Sequence, residues 1–147
     1  MKVKTSELSG TALDWAVAKA EELTIDSLRG GAVWAWTKDA LTGEDETIEI
    51  FRPSKDGAQG WPIIDREGIL LRPIRKPAHS FDGLWLAKLD AGNTGQMVHW
   101  NEFQFGKTGA RCYWKGPTSL IAAMRCYAAS ELGDEIDVPD DLLEPTP

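Results

Sequence analysis

Residues 116–133 read Gly-Pro-Thr-Ser-Leu-Ile-Ala-Ala-Met-Arg-Cys-Tyr-Ala-Ala-Ser-Glu-Leu-Gly, and this stretch predicts the helix around which the chain folds. Pro117 suits the first helical position, where its missing N–H costs nothing, and Gly133 can adopt the backbone conformation that ends a helix. Leu120, Met124 and Tyr127 recur at helical spacing, and the four alanines between them leave little bulk to hold other elements away. We therefore expect a helix that is buried on most sides.

Arg125 is a single cation among the small and apolar residues of this helix. A buried cation needs a partner. The sequence leaves two kinds of partner open, a carboxylate such as Asp65 or Glu67, and the phosphate of a ligand.

Outward from this helix, short runs of apolar and β-branched residues predict strands, and one further helix is expected near the N-terminus, capped by Thr11. The prediction is an α+β fold, a mostly antiparallel sheet with two helices packed on one face. Ala32–Trp36 and Thr47–Phe51 form its expected hairpin. The other expected strands are Lys2–Thr5, Ile69–Leu71, Leu84–Ala87, Met97–Trp100 and Arg111–Trp114.

The stretch from Arg52 to Gly68 contains two prolines and three glycines, and it predicts a long loop with little regular structure. Trp61 lies within it, between Gly60 and Pro62, and two interpretations of this residue carry equal weight. Its ring either stacks on the base of a ligand while Arg66 holds a phosphate, or it anchors the loop on the body of the protein.

Composition limits the class of protein. The 147 residues suit one compact domain, predicted at 1–138, followed by an acidic, proline-containing tail at 139–147. Residues 1–130 are neutral and the net charge of −7 comes from the C-terminal end, which argues against a broad DNA- or RNA-binding face. Two cysteines, no long apolar run and no apolar leader predict a soluble cytosolic protein without a membrane partner.

Catalytic motifs are missing from the sequence. His79 and His99 lack metal-ligand spacing, and neither G-x-S-x-G nor H-E-x-x-H occurs, so we expect a non-enzymatic protein with no metal and no cofactor. The Gly116–Ser119 turn opens a helix, where free N–H groups can bind an anion. A capped helix start without a ligand is the favoured interpretation, and the turn is not a Walker motif.

Three blocks of sequence resemble a family of short proteins of unknown function from tailed phages and prophages of enterobacteria. They are residues 1–19, Gly60–Glu67 with its Pro-Ile-Ile core, and Gly116–Glu135 with its Ala-Ala-Met-Arg-Cys-Tyr run. The sequence departs from the family pattern at Trp61, where glycine is common, and matches nothing between Lys88 and Tyr113. The resemblance implies a phage accessory protein in the host cytoplasm. Small phage proteins of this kind are often anti-defence factors, and some sequester nucleotide signals of bacterial immunity.

These observations favour a protein that binds a small nucleotide signal of the cyclic or modified ADP-ribose type and holds it without catalysis. A homo-oligomer is expected, because aromatic-rich strand surface on a small domain favours burial between copies. The alternative is a protein-interaction inhibitor whose acidic C-terminal segment docks on a basic host protein. The predicted ligand-binding residues, for phosphate, base or ribose, are Gln59, Gly60, Trp61, Arg66, Trp85, Thr118, Ser119 and Arg125.

Overall fold

The computed structural model of the chain describes residues 1–75, 77, 82–89 and 112–142. The predicted strand Met97–Trp100 and both histidines lie outside the described residues. In chain order the elements are β1 (Lys2–Lys4), α1 (Gly10–Ala20), β2 (Ile25–Ser27), β3 (Val33–Lys38), β4 (Asp45–Phe51), α2 (Gly57–Glu67), β5 (Leu70–Pro73), β6 (Trp85–Leu89), β7 (Cys112–Gly116), α3 (Ser119–Leu132) and β8 (Glu135–Asp137). Short 3-10 turns span Thr5–Glu7, Arg29–Gly31 and Asp140–Leu142.

The described strands form three antiparallel sheets, of order β1-β8, β2-β3-β4 and β5-β6-β7. The α+β class is therefore confirmed, although the strands divide among three small sheets rather than forming one. The predicted hairpin is present as β3 and β4, with Trp34 opposite Ile50 and Ala35 opposite Glu49. The strand that enters the predicted helix is also confirmed, because β7 ends at Gly116.

Helix α3 lies at the centre of the main core. Its middle residues, from Ala122 to Ala129, are buried apart from Arg125, and they pack with α1, α2 and the β5-β6-β7 sheet. Close packing depends on small residues at the contact. A Cβ added at Gly116 would approach the backbone nitrogen of Ala122 to 2.7 Å, so β7 and α3 touch backbone to backbone.

Helix α2 corrects the prediction of a long loop between Arg52 and Gly68. The Asp56 carboxylate caps the helix by accepting from the Ala58 N–H, and Gly68 ends it in the left-handed conformation. A Cβ at Gly60 would lie 2.5 Å from the Pro53 carbonyl oxygen and 2.8 Å from a Leu120 methyl group. This glycine therefore permits a close helix contact, and the described residues contain three α-helices rather than two.

Two predicted helix starts were wrong by one or two residues. Ser9, not Thr11, is the N-cap position of α1, and the Thr11 hydroxyl donates to the Gly31 carbonyl instead. Pro117 precedes α3, whose N-cap is Thr118 with its hydroxyl accepting from the Ile121 N–H. Gly133 ends α3 with a φ of 92°, which glycine adopts readily, but its ψ of −177° lies outside the left-handed helical region expected of a glycine that ends a helix.

The acidic C-terminal segment contributes to the folded body. Strand β8 pairs with β1, and Val138 and Leu142 are buried in the main core. The compact part of the chain therefore runs beyond the predicted boundary at residue 138, to Leu142. None of the helices in the described part of the chain has the length and apolar character needed to cross a bilayer.

Candidate functional site

A pocket of about 260 Å³ lies between the β3–β4 hairpin, the C-terminal end of α1 and helix α2. Its lining combines apolar and polar side chains. The lining residues are Glu21, Leu23, Ala35, Trp36, Thr37, Glu49, Ile50, Phe51, Gln59, Ile63 and Arg66.

The pocket exists because α1 covers only part of one face of the hairpin. Residues directly opposite each other on paired strands share a face, so Ala35 and Glu49 project to the same side, with Phe51 two residues further along β4. Ala18 of α1 packs on Val33 and Ala35 of this face. Beyond the end of α1 the face is open, and α2 forms the opposite wall of the pocket.

Arg66 forms the charged corner of the pocket. Its two terminal nitrogens pair with the Glu21 carboxylate, its Nε lies 3.4 Å from Glu67 Oε2, and its Nη2 donates to the Tyr127 hydroxyl at 3.2 Å. The hydrogen bond with Glu21 raises the pKa of Arg66 above its ordinary value. Burial raises the pKa of Tyr127. Both groups therefore hold their protons throughout the physiological range, and the corner is a fixed set of donors that are already engaged.

Gln59 connects α2 to the free edge of β4. Its amide nitrogen donates to the Ile50 carbonyl at 2.8 Å, and its amide oxygen accepts from the Arg52 N–H at 2.6 Å. Those two backbone groups point away from β3, so the amide occupies the place that a neighbouring strand would take. Gln59 lines the pocket as predicted, but both ends of its amide group are engaged in holding its wall.

Gly60, Trp61 and Trp85 were also predicted to bind the ligand, but these three residues lie outside the pocket lining. Trp61 is exposed at 46%, and its ring lies against Gly57 within α2. Gly60 is buried in the contact between α2 and α3. Trp85 is half-buried on β6 and packs against the main core. The structure therefore brings Gln59 and Arg66 together and leaves these residues apart from them.

The predicted residues of α3 serve the fold in this structure. Arg125 Nε donates to the Leu8 carbonyl at 2.7 Å and Nη1 donates to the Lys115 carbonyl at 2.9 Å. These two nitrogens are paired with backbone carbonyls rather than with Asp65 or Glu67, the carboxylates that the sequence analysis considered. Thr118 is the helix cap, and Ser119 is the first residue of α3. None of the three lines the pocket.

Sequence reasoning missed a buried carboxylate next to this region. Asp14 of α1 is 4% exposed and accepts from the Ser54 N–H at 3.0 Å, which ties α1 to the turn that leads into α2. Burial raises the pKa of Asp14 to about 6, although the Ser54 N–H and nearby cations oppose the change.

The sequence analysis also missed Glu21, Glu49 and Phe51 as pocket residues. Strand alternation places Glu49 and Phe51 on one face of the hairpin, and this signal could have identified both. Glu21 lies at the end of α1, far from these residues in sequence, and it comes close to them only in the folded chain. Within the described ranges no three His, Cys, Asp or Glu side chains are grouped as a metal site would require.

Comparison with known proteins gives one family. The family described as Bacteriophage P22, NinX matches residues 4–131, which includes the region between Lys88 and Tyr113 that the sequence blocks had not matched. No curated protein matches the chain significantly.

Proposed function

Because the chain belongs to the bacteriophage P22 NinX family and is thus a phage accessory protein, we propose that it sequesters a small nucleotide immune signal. The ligand is of the cyclic or modified ADP-ribose type. The protein holds it without catalysis in the host cytoplasm, as a homo-oligomer, and so counteracts bacterial defence.

The pocket between the hairpin and α2 is the observation that carries this proposal. Leu23, Ile63 and Phe51 give it an apolar interior, and its polar groups stand at the rim. Ligand pockets have volumes of roughly 300–1,000 Å³, so about 260 Å³ accommodates one ring system rather than a whole dinucleotide. The base of the ligand occupies this space, and the ribose and phosphates extend past the rim.

The assignment of residues changes with the structure. Gln59 and Arg66 remain in the proposed site, while Trp61, Trp85, Thr118, Ser119 and Arg125 do not line it. Phe51 replaces the predicted tryptophans as the aromatic residue against the base. Arg66 acts as a fixed wall of the pocket, because its guanidinium already binds two carboxylates.

Native mass spectrometry tests the proposal. The protein is purified from phage-infected cells that carry nucleotide-signalling immunity, and any ligand is then released by heat and identified. We expect an intact nucleotide, with the number of ligands per oligomer given by the same spectrum. Release of a cleaved product would contradict sequestration, and an empty protein would contradict nucleotide binding.

Two tryptophan substitutions on β4 provide a matched comparison for this experiment. Glu49→Trp places a bulky side chain in the pocket lining, whereas Glu46→Trp places the same side chain at the bulge of β4, outside the lining. Both positions are exposed, so both variants should fold. We expect ligand loss only from Glu49→Trp, and equal retention by both variants would place the ligand elsewhere.

The acidic C-terminal segment supports the alternative, an inhibitor that docks on a basic host protein. Glu135 and Asp137 are exposed on β8, and Asp140 and Asp141 follow in the exposed turn. Truncation after Gly133 would remove the buried Val138 and Leu142 as well as the charge, so charge substitution is the cleaner test. Replacing the four acids with their amides should abolish partner binding under this alternative and leave nucleotide binding unchanged.

A further inference from the structure

Several hydrogen-bond donors around the pocket are already engaged by the protein. The Gln59 amide nitrogen donates to Ile50, and the Thr37 hydroxyl is bonded to Thr47 across the hairpin. Arg66 donates four hydrogen bonds, to Glu21, Glu67 and Tyr127. The N–H groups that these bonds use can serve a ligand acceptor only if one of the contacts is displaced.

The acceptors around the pocket include one that is open. Within the described part of the chain, the Glu49 carboxylate makes no hydrogen bond and no ion pair. Glu49 is paired with Ala35 and lies on the face of the hairpin that lines the pocket. An ionised carboxylate accepts hydrogen bonds through both oxygens and donates none. Glu49 therefore presents an unused acceptor at the mouth of an apolar cavity.

The charged residues at the pocket also favour a ligand that donates hydrogen bonds. Two carboxylates, Glu21 and Glu49, and one guanidinium, Arg66, line it, and Glu67 also pairs with Arg66 from outside the lining. A phosphate at Arg66 would meet the carboxylates that already neutralise the cation. The local field thus disfavours an anion in this pocket and favours a neutral group that carries donors.

We infer that the pocket recognises a planar base through its N–H donors, as an exocyclic amine on a purine provides them, and that Glu49 is the residue that determines this specificity. The inference rests on the proposed function and names the part of the ligand that the pocket binds. The amine donates to the Glu49 carboxylate while the ring lies on the apolar interior. The phosphates contribute little, because they remain outside.

Calorimetric titration of the whole protein with three probes tests the inference: adenosine, which carries the amine, purine riboside, which lacks it, and adenosine 5′-monophosphate. We expect adenosine to bind about tenfold or more tightly than purine riboside, because a hydrogen bond to a charged acceptor is strong. The monophosphate should bind within about threefold of adenosine.

The possible outcomes separate the two proposals. If none of the three probes binds, recognition of the base by this pocket is overturned, and the proposed function is then decided separately by whether native mass spectrometry finds a released nucleotide. If purine riboside binds as tightly as adenosine, or the monophosphate binds ten times more tightly, nucleotide binding stands and donor recognition by this pocket is overturned.

A second variant pair assigns the specificity to Glu49. Glu49→Gln removes the charge and retains the size, and Glu46→Gln makes the same change at the bulge of β4, outside the pocket lining. We expect the ratio of adenosine to purine riboside affinity to fall about tenfold in Glu49→Gln and to stay unchanged in Glu46→Gln. An unchanged ratio in both variants would overturn the role of Glu49.

Discussion

Two arginines on neighbouring helices show how differently this protein uses the same side chain. Arg125 of α3 is half-buried, and two of its nitrogens are bonded to the carbonyls of Leu8 and Lys115. Arg66 of α2 is 51% exposed at the rim of a pocket, where carboxylates hold it. The first joins the start of the chain and the end of β7 to the central helix, and the second shapes an open site.

This difference shows why a cation in an apolar helix was a poor guide to the site. Backbone carbonyls satisfy a buried guanidinium as well as a phosphate does, and they leave no trace in the sequence. The pocket instead combines residues of ordinary appearance from α1, the hairpin and α2. Contacts of the Arg125 kind should therefore determine stability, and contacts of the Arg66 kind should determine binding.

Arg125→Ala should have the largest effect on folding. The substitution leaves two carbonyls without their charged donor, and we expect the free energy of unfolding to fall by about 3 to 4 kcal/mol in urea titration. Binding of adenosine by the folded fraction should be unchanged. Arg125→Lys keeps the charge but loses the planar guanidinium group. Its free energy of unfolding should therefore lie between those of the natural protein and Arg125→Ala. Lost binding in a fully stable Arg125→Ala protein would instead return Arg125 to the site.

Asp14→Asn tests the second buried polar contact through its pH dependence. The folded-state pKa of about 6 lies above the ordinary value of 3.8, so the carboxyl group stabilises the fold when protonated and this stabilisation is lost as pH rises from about 4 to about 6. The loss amounts to at most about 3 kcal/mol. Asp14→Asn lacks this titration, so the variant should gain stability relative to the natural protein over that interval. Parallel stability curves between pH 4 and 7 would contradict the raised pKa.

Gly60→Ala tests the close contact between α2, α3 and the turn before α2. The added methyl group would overlap the Pro53 carbonyl, and we expect a loss of about 2 kcal/mol in thermal or urea unfolding. Gly57→Ala is the matched control, because there the methyl group meets only the ring of the exposed Trp61, which can move. Equal stability of the two variants would show that the structure accommodates a methyl group at residue 60, and it would contradict the close contact.

Arg66→Ala should have the smallest effect on stability and so sharpen the contrast with Arg125→Ala. Its guanidinium is half-exposed, and ion pairs of such groups contribute little, so we expect a loss of about 1 kcal/mol, mainly from the less exposed Glu21 carboxylate. Adenosine affinity should change more than stability, because the wall of the pocket is altered. A loss as large as that of Arg125→Ala would remove the distinction between the two regions.

The parts of the fold that local sequence determines were predicted. The β3–β4 hairpin, β1 and α3 follow from alternation or helical periodicity together with turn and cap residues. Helix α2 was missed because Gly60 and Pro62 indicate a loop when considered alone. Residue 60 has to be glycine because Pro53 and Leu120 come close to its backbone. This is a tertiary contact, and no local sequence pattern indicates it.

The candidate site was predicted only in part, for a related reason. Gln59 and Arg66 were both among the predicted ligand-binding residues, and both line the pocket because about two turns of the unpredicted helix α2 separate them. Glu21 belongs to the end of α1 and Glu49 to β4, and these residues meet only after the chain has folded. Sequence alone therefore identified one wall of the pocket and could not identify the opposite one.

Nuclear magnetic resonance titration of the ¹⁵N-labelled protein with adenosine distinguishes the two regions most directly. We expect the backbone amide shifts to change at Ala35–Thr37, Glu49–Phe51 and Gln59, with the amides of Thr118–Ile121 and the Arg125 side chain unchanged. Shift changes confined to the start of α3 and Arg125 would contradict the assignment of the pocket and place the ligand at the central helix.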